Sequence, residues 1–478
     1  MNEHGTVGVT QQIAEFAVET SFAALPPEAI EMAKRCVLDG TAVILAGSTE
    51  PCARIVRAYV RDVGGREEAT TLGVGALGAP VHLAALANGV AGHALDWDDT
   101  ALSREKDRSV LIHPTMQPLC ASYALAEHLG ASGGAFLTAF ILGFEVQVKI
   151  AEAIHPDHFT DGRGFHSSGT IGVFGAAVAA ARLMKLSHAE TLNALAIAAT
   201  LAAGLGVHHG TMSKPLNMGR AAETGVTAAR LAGLGFDGAS NALEGGRGFF
   251  GAFGGGYAPG KITGRLGSPF AILDPGVSVK PYPSGVVGHP GMDAMLKLVT
   301  DHDVNPADVE KVHVRTGSNV IYPGPLRIGH ANTALEARFC VPFQMAAIIL
   351  RCKAGRAEFS DDFVRSGACQ DLQQKVVAEV DPALDASGKD KVVFAIELTT
   401  KDGRTYRQQS EEHYRGGPDN PLTWDELTGK FGDCAAGCLD EAAQQRFVTL
   451  LRDLDGMDDV SDLVRLVAAG RARGNDGD

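Results

Sequence analysis

The chain has 478 residues, of which 45% are hydrophobic and 21% charged, and a formal net charge of -14. That length exceeds one ordinary core of roughly 100 to 200 residues and predicts two domains, one of them large, while the composition excludes disorder beyond the ends. The acidic balance excludes a phosphate-binding nucleic-acid surface, but not a locally basic pocket for a small anion, because a few cations act there at short range.

Up to Gly267, long Ala-, Leu- and Gly-rich segments carry apolar residues at helical spacing and predict an all-helical domain over 1–267. Pro26, Pro27 and Glu28 open a helix running through Cys36 toward Ala46, with prolines where a missing N–H costs least. A second apolar helical stretch ends in HALDWDDT, residues 93–100. A third is expected to begin near Thr170, after the Gly- and Ser-rich loop around His166. Ser187 and Glu190 form a capping box ahead of LNALAIAATLAAG. HHGTMSKPLNMG, residues 208–219, breaks the apolar pattern, and helix is expected to resume near Gly219.

From 268 the pattern changes to short β-branched runs separated by Pro and Gly, predicting an α+β domain over 268–410. KVHVRTG at 311–317 reads as a strand, and QMAAIILRCKAG and CQDLQQKVVAEVD read as helices. VVFAIELTTKDGRTYRQQ at 392–409 reads as a hairpin with Asp402 and Gly403 as a two-residue turn. Thr423 and Glu426 form another capping pattern, and helices over 411–470 are expected to pack back on the first domain, leaving the α+β part as a lid. The fold class is therefore mainly α with an α+β second domain.

Cysteines at 36, 52, 120, 340, 352, 369, 434 and 438 show neither a disulfide-framework nor a paired CxxC spacing, as in a reducing cytoplasmic compartment. The N-terminus has no basic region followed by an apolar core, and no window reaches 18 uninterrupted apolar residues; no membrane partner is expected.

Three polar breaks in the helical domain are candidate chemistry. HALDWDDT sets three carboxylates and a histidine in eight residues, with His113-Pro114 following. Taken alone, it is also compatible with solvated aspartates at a helix end, or with a divalent-metal site on His93, Asp96, Asp99 and His113. His166 stands in a loop whose backbone N–H groups favour an anion, where an imidazole could act as acid or base; alone, it could equally cap or pack. Lys214, in the third break, could clamp a carboxylate or simply be solvated. Jointly the three breaks propose one pocket.

At these residues the chain resembles the MmgE/PrpD family, which contains 2-methylcitrate dehydratase, cis-aconitate decarboxylase and iminodisuccinate epimerase. The resemblance is carried by NGVAGHALDWDDT (88–100), HP (113–114), GFHSSGTIGVFGAA (164–177), GTMSKPLNMGRAAETG (210–225) and EARFCVPF (336–343), and it covers nearly the whole chain. It implies a helical domain with a smaller α+β lid, a homodimer, a small anionic carboxylate substrate, and neither metal nor organic cofactor. It also implies site positions at Asp96, Thr100, His113, His166, Lys214 and Tyr322.

Two departures from the family pattern stand out. Gly285, in KPYPSGVVGHP, lies where relatives carry a histidine or a cysteine, so Tyr282 or His289 becomes a candidate replacement, and the 101–112 spacer between DDT and HP is long. The expected roles are charge binding by Lys214 and His113, proton transfer by His166 with Asp96 orienting a histidine, and hydrogen bonding to substrate by Thr100 and Tyr322. The reading is a lyase that moves a proton next to a carboxylate, by dehydration or decarboxylation. Its rivals are an epimerase of an iminodisuccinate-like dicarboxylate, a metal-dependent hydrolase and a non-catalytic helical scaffold.

Overall fold

The computed structural model describes residues 7–102, 111–159, 162–321, 324–385 and 391–468. The chain forms two compact units: one draws on Met1–Ala101, Val110–Val277 and Trp424–Asp478, and the other is built on Ser278–Thr423. The molecule is mainly helical, with a four-stranded sheet in the second unit, the expected combination of a large helical part and a smaller α+β part.

In the first unit the helices that matter for the site are α1 (Pro27–Gly47), α2 (Val81–His93), α3 (Met116–Leu129), α4 (Gly133–Ala153), α5 (Gly172–Leu183), α6 (His188–Leu201), α7 (Ser213–Gly233) and α8 (Trp424–Ala435). Pro27 takes the first helical position of α1, and α6 opens with the full Ser187/Glu190 capping box. Helices α2 and α5 are buried almost all round, which is why their sequences are apolar without a polar stripe. Helix α4 is long and apolar enough to cross a membrane, but it lies buried within the unit and carries Glu145 and Lys149.

Small residues bring α2 and α7 together backbone to backbone. A Cβ on Gly89 would lie 2.8 Å from Gly219 Cα, and one on Gly219 would lie 2.4 Å from Leu86 O, so any side chain at either position would force the helices apart. This contact lays α7 along α2, with Lys214 in its first turn.

Two helix boundaries differ from expectation. Helix α7 starts at Ser213 rather than near Gly219, because Pro215 falls in its first turn, where proline is compatible with helix. The stretch beginning at His166 forms a short helix, Ser167–Thr170, before α5.

In the second unit β1 (Val309–Thr316), β2 (Val376–Val380), β3 (Phe394–Thr400) and β4 (Thr405–Gln409) form a sheet of order β2-β1-β3-β4. Strand β1 pairs parallel with β2, Val312 opposite Val376, and antiparallel with β3, Thr316 opposite Phe394. Phe394, Ile396, Leu398 and Thr400 alternate inward along β3. Helices His289–Asp301 and Val341–Arg351 contact the sheet.

The segment CQDLQQKVVAEVD, expected to be helical, is helix only to Lys375 and then becomes β2, because the Val-rich end completes the parallel ladder with β1. The β3–β4 hairpin is present, but its loop spans four residues, with Thr400 N donating to Arg404 O and a positive φ at Gly403 alone, rather than a two-residue turn.

Candidate active site

Helix α2 ends at His93, and the chain turns through Ala94 and Leu95 to Asp96, whose φ of 52° places it in the left-handed region. Aspartate tolerates that region better than most residues, at a cost of about 1 kcal/mol. The turn separates the directions of the three carboxylates. Asp96 Oδ1 accepts from Lys214 Nζ at 2.9 Å and lies 3.7 Å from His113 Nε2. Asp98 accepts from His93 Nδ1 at 2.8 and 2.9 Å and stands 3.2 Å from His113 Nδ1. Asp99 turns away, accepting from the Thr115 hydroxyl at 2.6 Å, while its backbone carbonyl accepts from His113 Nδ1 at 2.9 Å. All of these side chains are buried.

Asp98 thus serves two imidazoles at once. With both Nδ1 atoms donating, the Nε2 atoms of His93 and His113 carry the lone pairs, and an orienting carboxylate sets the tautomer. The His93 and His113 rings meet edge-on with centroids 4.5 Å apart, and His93 Nε2 is buried without a partner among the described residues. Burial would raise the Asp98 carboxyl, but His113 and His93 outweigh it and hold the group well below the usual carboxylate range. Burial pushes His93 down to about 3, against the opposing pull of Asp98. Asp99 is the opposite case, raised to about 8 by burial and then by Asp39.

His166 comes from another direction, just ahead of Ser167–Thr170, with its ring 6.0 Å from that of His93 and 5.7 Å from that of His209. Asn217 Nδ2 approaches His166 Nδ1 at 3.4 Å, which makes Nδ1 the acceptor and leaves Nε2 protonated. Burial holds His166 well below its ordinary value, assisted by Lys214 and the neighbouring imidazoles, so it is neutral near pH 7. His209 is exposed, yet local desolvation and then Lys214 lower it, to about 4. Ser168 ties the two segments together: its hydroxyl accepts from His113 N at 3.0 Å and its carbonyl from Gln117 Nε2 at 2.7 Å.

Asp96, His113, His166 and Lys214, expected to share a pocket, therefore meet within the helical unit. Thr100 is fully buried beside them in sequence, and its hydroxyl has no partner among the described residues. Tyr322 lies outside the described residues, as does most of the long 101–112 spacer. In the second unit the Tyr282 hydroxyl bonds to Asp293 at 2.6 Å and Arg415 Nη2 at 3.2 Å, and His289 is buried with Nε2 3.2 Å from Ser284 O. A Cβ on Gly285 would lie 2.8 Å from Leu326 Cδ2, so leucine occupies the space a side chain there would need.

Sequence reasoning did not select Asp98, Asn217, Ser168 or His209, and it weighed His93 only as a metal ligand. Each lies inside a motif it quoted, but residue type alone does not distinguish Asp98 from Asp96 or Asp99. His93, Asp96, Asp98 and His113 do bring one ligand-type atom each within 4.8 Å of one another. Lys214 already places an ammonium on Asp96, and that charge opposes a cation at this carboxylate.

Two family models match the chain, the MmgE/PrpD N-terminal domain over residues 11–261 and the MmgE/PrpD C-terminal domain over residues 282–456. Among curated proteins, the chain is 29% identical to the cis-aconitate decarboxylase of Homo sapiens over 456 residues, covering 93% of this chain and 91% of that one. It is 30% identical to the enzyme of the same name from Mus musculus, with 92% and 89% covered, and 25% identical to that of Aspergillus terreus, with 96% of each covered.

Proposed function

The chain belongs to the MmgE/PrpD family, and on that premise we propose that it is a lyase that decarboxylates a small unsaturated tricarboxylic acid, with cis-aconitate, named in its relatives, as the candidate substrate. The observation that carries the reading is Asp98 held between two imidazoles beside the Asp96–Lys214 pair, which sets a proton-transfer group next to a carboxylate-binding cation.

Loss of carbon dioxide breaks a C–C bond, and the electron pair left behind is delocalised over the neighbouring alkene. The far carbon of that allyl system, next to a second carboxylate, then takes up one proton. The enzyme must bind the carboxylates as charge moves and deliver that proton. Lys214 is the cation for a substrate carboxylate, exchanging part of its contact with Asp96. His113, which stands between Asp98 and Asp96, is the residue we assign to take up a proton at Nε2 and deliver it. His166 is assigned to donate a hydrogen bond from Nε2 to the substrate. This exchanges the roles expected from sequence for the two histidines, and the reason is that the carboxylates face His113. Thr100 and Tyr322 remain the candidates for further hydrogen bonds to substrate.

The test is incubation with cis-aconitate in deuterated water, read by carbon dioxide release and proton NMR. Decarboxylation with one deuterium incorporated at a single carbon is expected. Solvent exchange without carbon dioxide release would replace the lyase by an isomerase, and neither signal would overturn the reading. A homodimer in a reducing cytoplasm is part of the same proposal. It is supported by the family resemblance and by eight cysteines that are all free, and light scattering of the purified protein measures the dimer.

A further inference from the structure

Each of the three consecutive residues of the 96–98 turn is held by side chains from outside the turn. Asp96 meets Lys214 and His113, Asp98 meets His93 and His113, and the carbonyl of Trp97, between them, accepts from Lys430 Nζ at 3.0 Å. Lys430 belongs to α8, 333 residues away in sequence. Its ammonium also pairs with Asp39 of α1 at 2.5 Å and lies 5.1 Å from the centroid of the Trp97 ring. Both charged side chains are buried, Asp39 at 2% and Lys430 at 7% exposure.

A buried ion pair returns little net stability, because desolvation offsets its Coulomb gain, so its retention asks for another reason. Here the turn supplies one. Asp96 sits at positive φ, a conformation that persists only where the surroundings over-determine it. The carbonyl of Trp97 reports the orientation of the peptide that leads into Asp98. A charge-assisted hydrogen bond to that carbonyl, anchored by Asp39, fixes the plane on which both flanking carboxylates depend.

We propose that Lys430, with Asp39, is a positioning residue for the active site, holding the Trp97 carbonyl so that Asp96 and Asp98 present their carboxylates to Lys214, His93 and His113. Lys430 acts through the backbone and makes no contact with substrate in this role. The turnover arm of the test rests on the lyase reading, and the spectroscopic arm does not.

The experiment compares Lys430→Met, Lys430→Arg and the double variant Lys430→Met with Asp39→Asn, which removes both buried charges so that loss of folding from an orphaned carboxylate is separated from loss of positioning. With cis-aconitate, Lys430→Met and the double variant are expected to lose about 10²-fold in kcat, the usual consequence of a displacement near 1 Å, with KM changed far less. Lys430→Arg keeps a donor and a charge and restores part of the loss. Without substrate, the far-downfield proton resonances of the His93 and His113 Nδ1–H groups bonded to Asp98 and to Asp99 O are expected to shift or broaden in both Met variants and to return in the Arg variant. Folded Met variants whose kcat and downfield resonances match the wild type would overturn the proposal, as would an Arg variant no better than Met. If the wild type does not turn over cis-aconitate, the lyase reading fails, and the resonances alone decide this inference.

Discussion

Asp98→Asn removes one charge from the centre of the site while keeping its shape. The 3.2 Å separation from His113 Nδ1 corresponds to about 5 kcal/mol between a carboxylate and an imidazolium at an effective dielectric constant of about 20, which is a ceiling on what the charge contributes when His113 holds the proton. Two contacts survive the substitution: the Asp99 carbonyl still accepts from His113 Nδ1 at 2.9 Å, and Asp96 stays 3.7 Å from Nε2. His113 therefore keeps its tautomer, whereas His93 loses its ionised acceptor and must adjust to an amide. The expected loss is about 10²- to 10³-fold in kcat, or roughly 3 to 4 kcal/mol, less than the ~10⁴-fold seen when an orienting aspartate is the sole support of a catalytic histidine. Carbon dioxide release under saturating cis-aconitate measures kcat, and a melting curve confirms that the variant is folded. A folded Asp98→Asn enzyme with kcat within about threefold of wild type, under ~0.7 kcal/mol, would refute the assignment of Asp98 as orienting carboxylate.

The two histidines should separate in the same assay. His113→Ala is expected to abolish proton delivery, with losses of about 10²- to 10⁴-fold in kcat, while His166→Ala, a hydrogen-bond donor in this scheme, costs about tenfold and acts mainly on KM; the reverse order would return the proton to His166. Acid stability should track His158, which is buried and pushed down to about 4 by that burial; its Nε2 is 2.7 Å from the Thr170 hydroxyl and its Nδ1 3.1 Å from Phe253 O. The unfolded chain binds this proton at about 6.5, so the stability is fully present above that value and falls as the pH drops toward 4, by roughly 3 kcal/mol in all, and His158→Gln should flatten that part of the stability-against-pH curve. In the second unit, Gly285→His alone should lower stability by about 1 to 3 kcal/mol through its clash with Leu326, and adding Leu326→Ala should recover part of it, as read from melting temperatures of the single and double variants.

How much of this was legible in the sequence follows from which interactions are local. Asp96, His113, His166 and Lys214 stand out jointly: each break alone reads as readily as a helix end, a cap or a solvated charge, and three of them in one apolar helical domain point to a shared pocket. Which carboxylate does what is not local. Asp96, Asp98 and Asp99 are one residue type within four positions, and the positive φ of Asp96 sends two of them toward histidines and the third toward Thr115 and Asp39, where burial raises it to about 8. The same limit explains β2: Val376–Val380 continues a helical spacing as readily as it forms a strand, until parallel pairing with Val312–Thr316 decides the matter. It also explains why Lys430 carried no signal. Its partner is a backbone carbonyl 333 residues distant, and a carbonyl has no residue type by which a sequence pattern could mark it. For this site, therefore, sequence pattern locates the polar breaks, and the fold distributes acid, base and anchor among them.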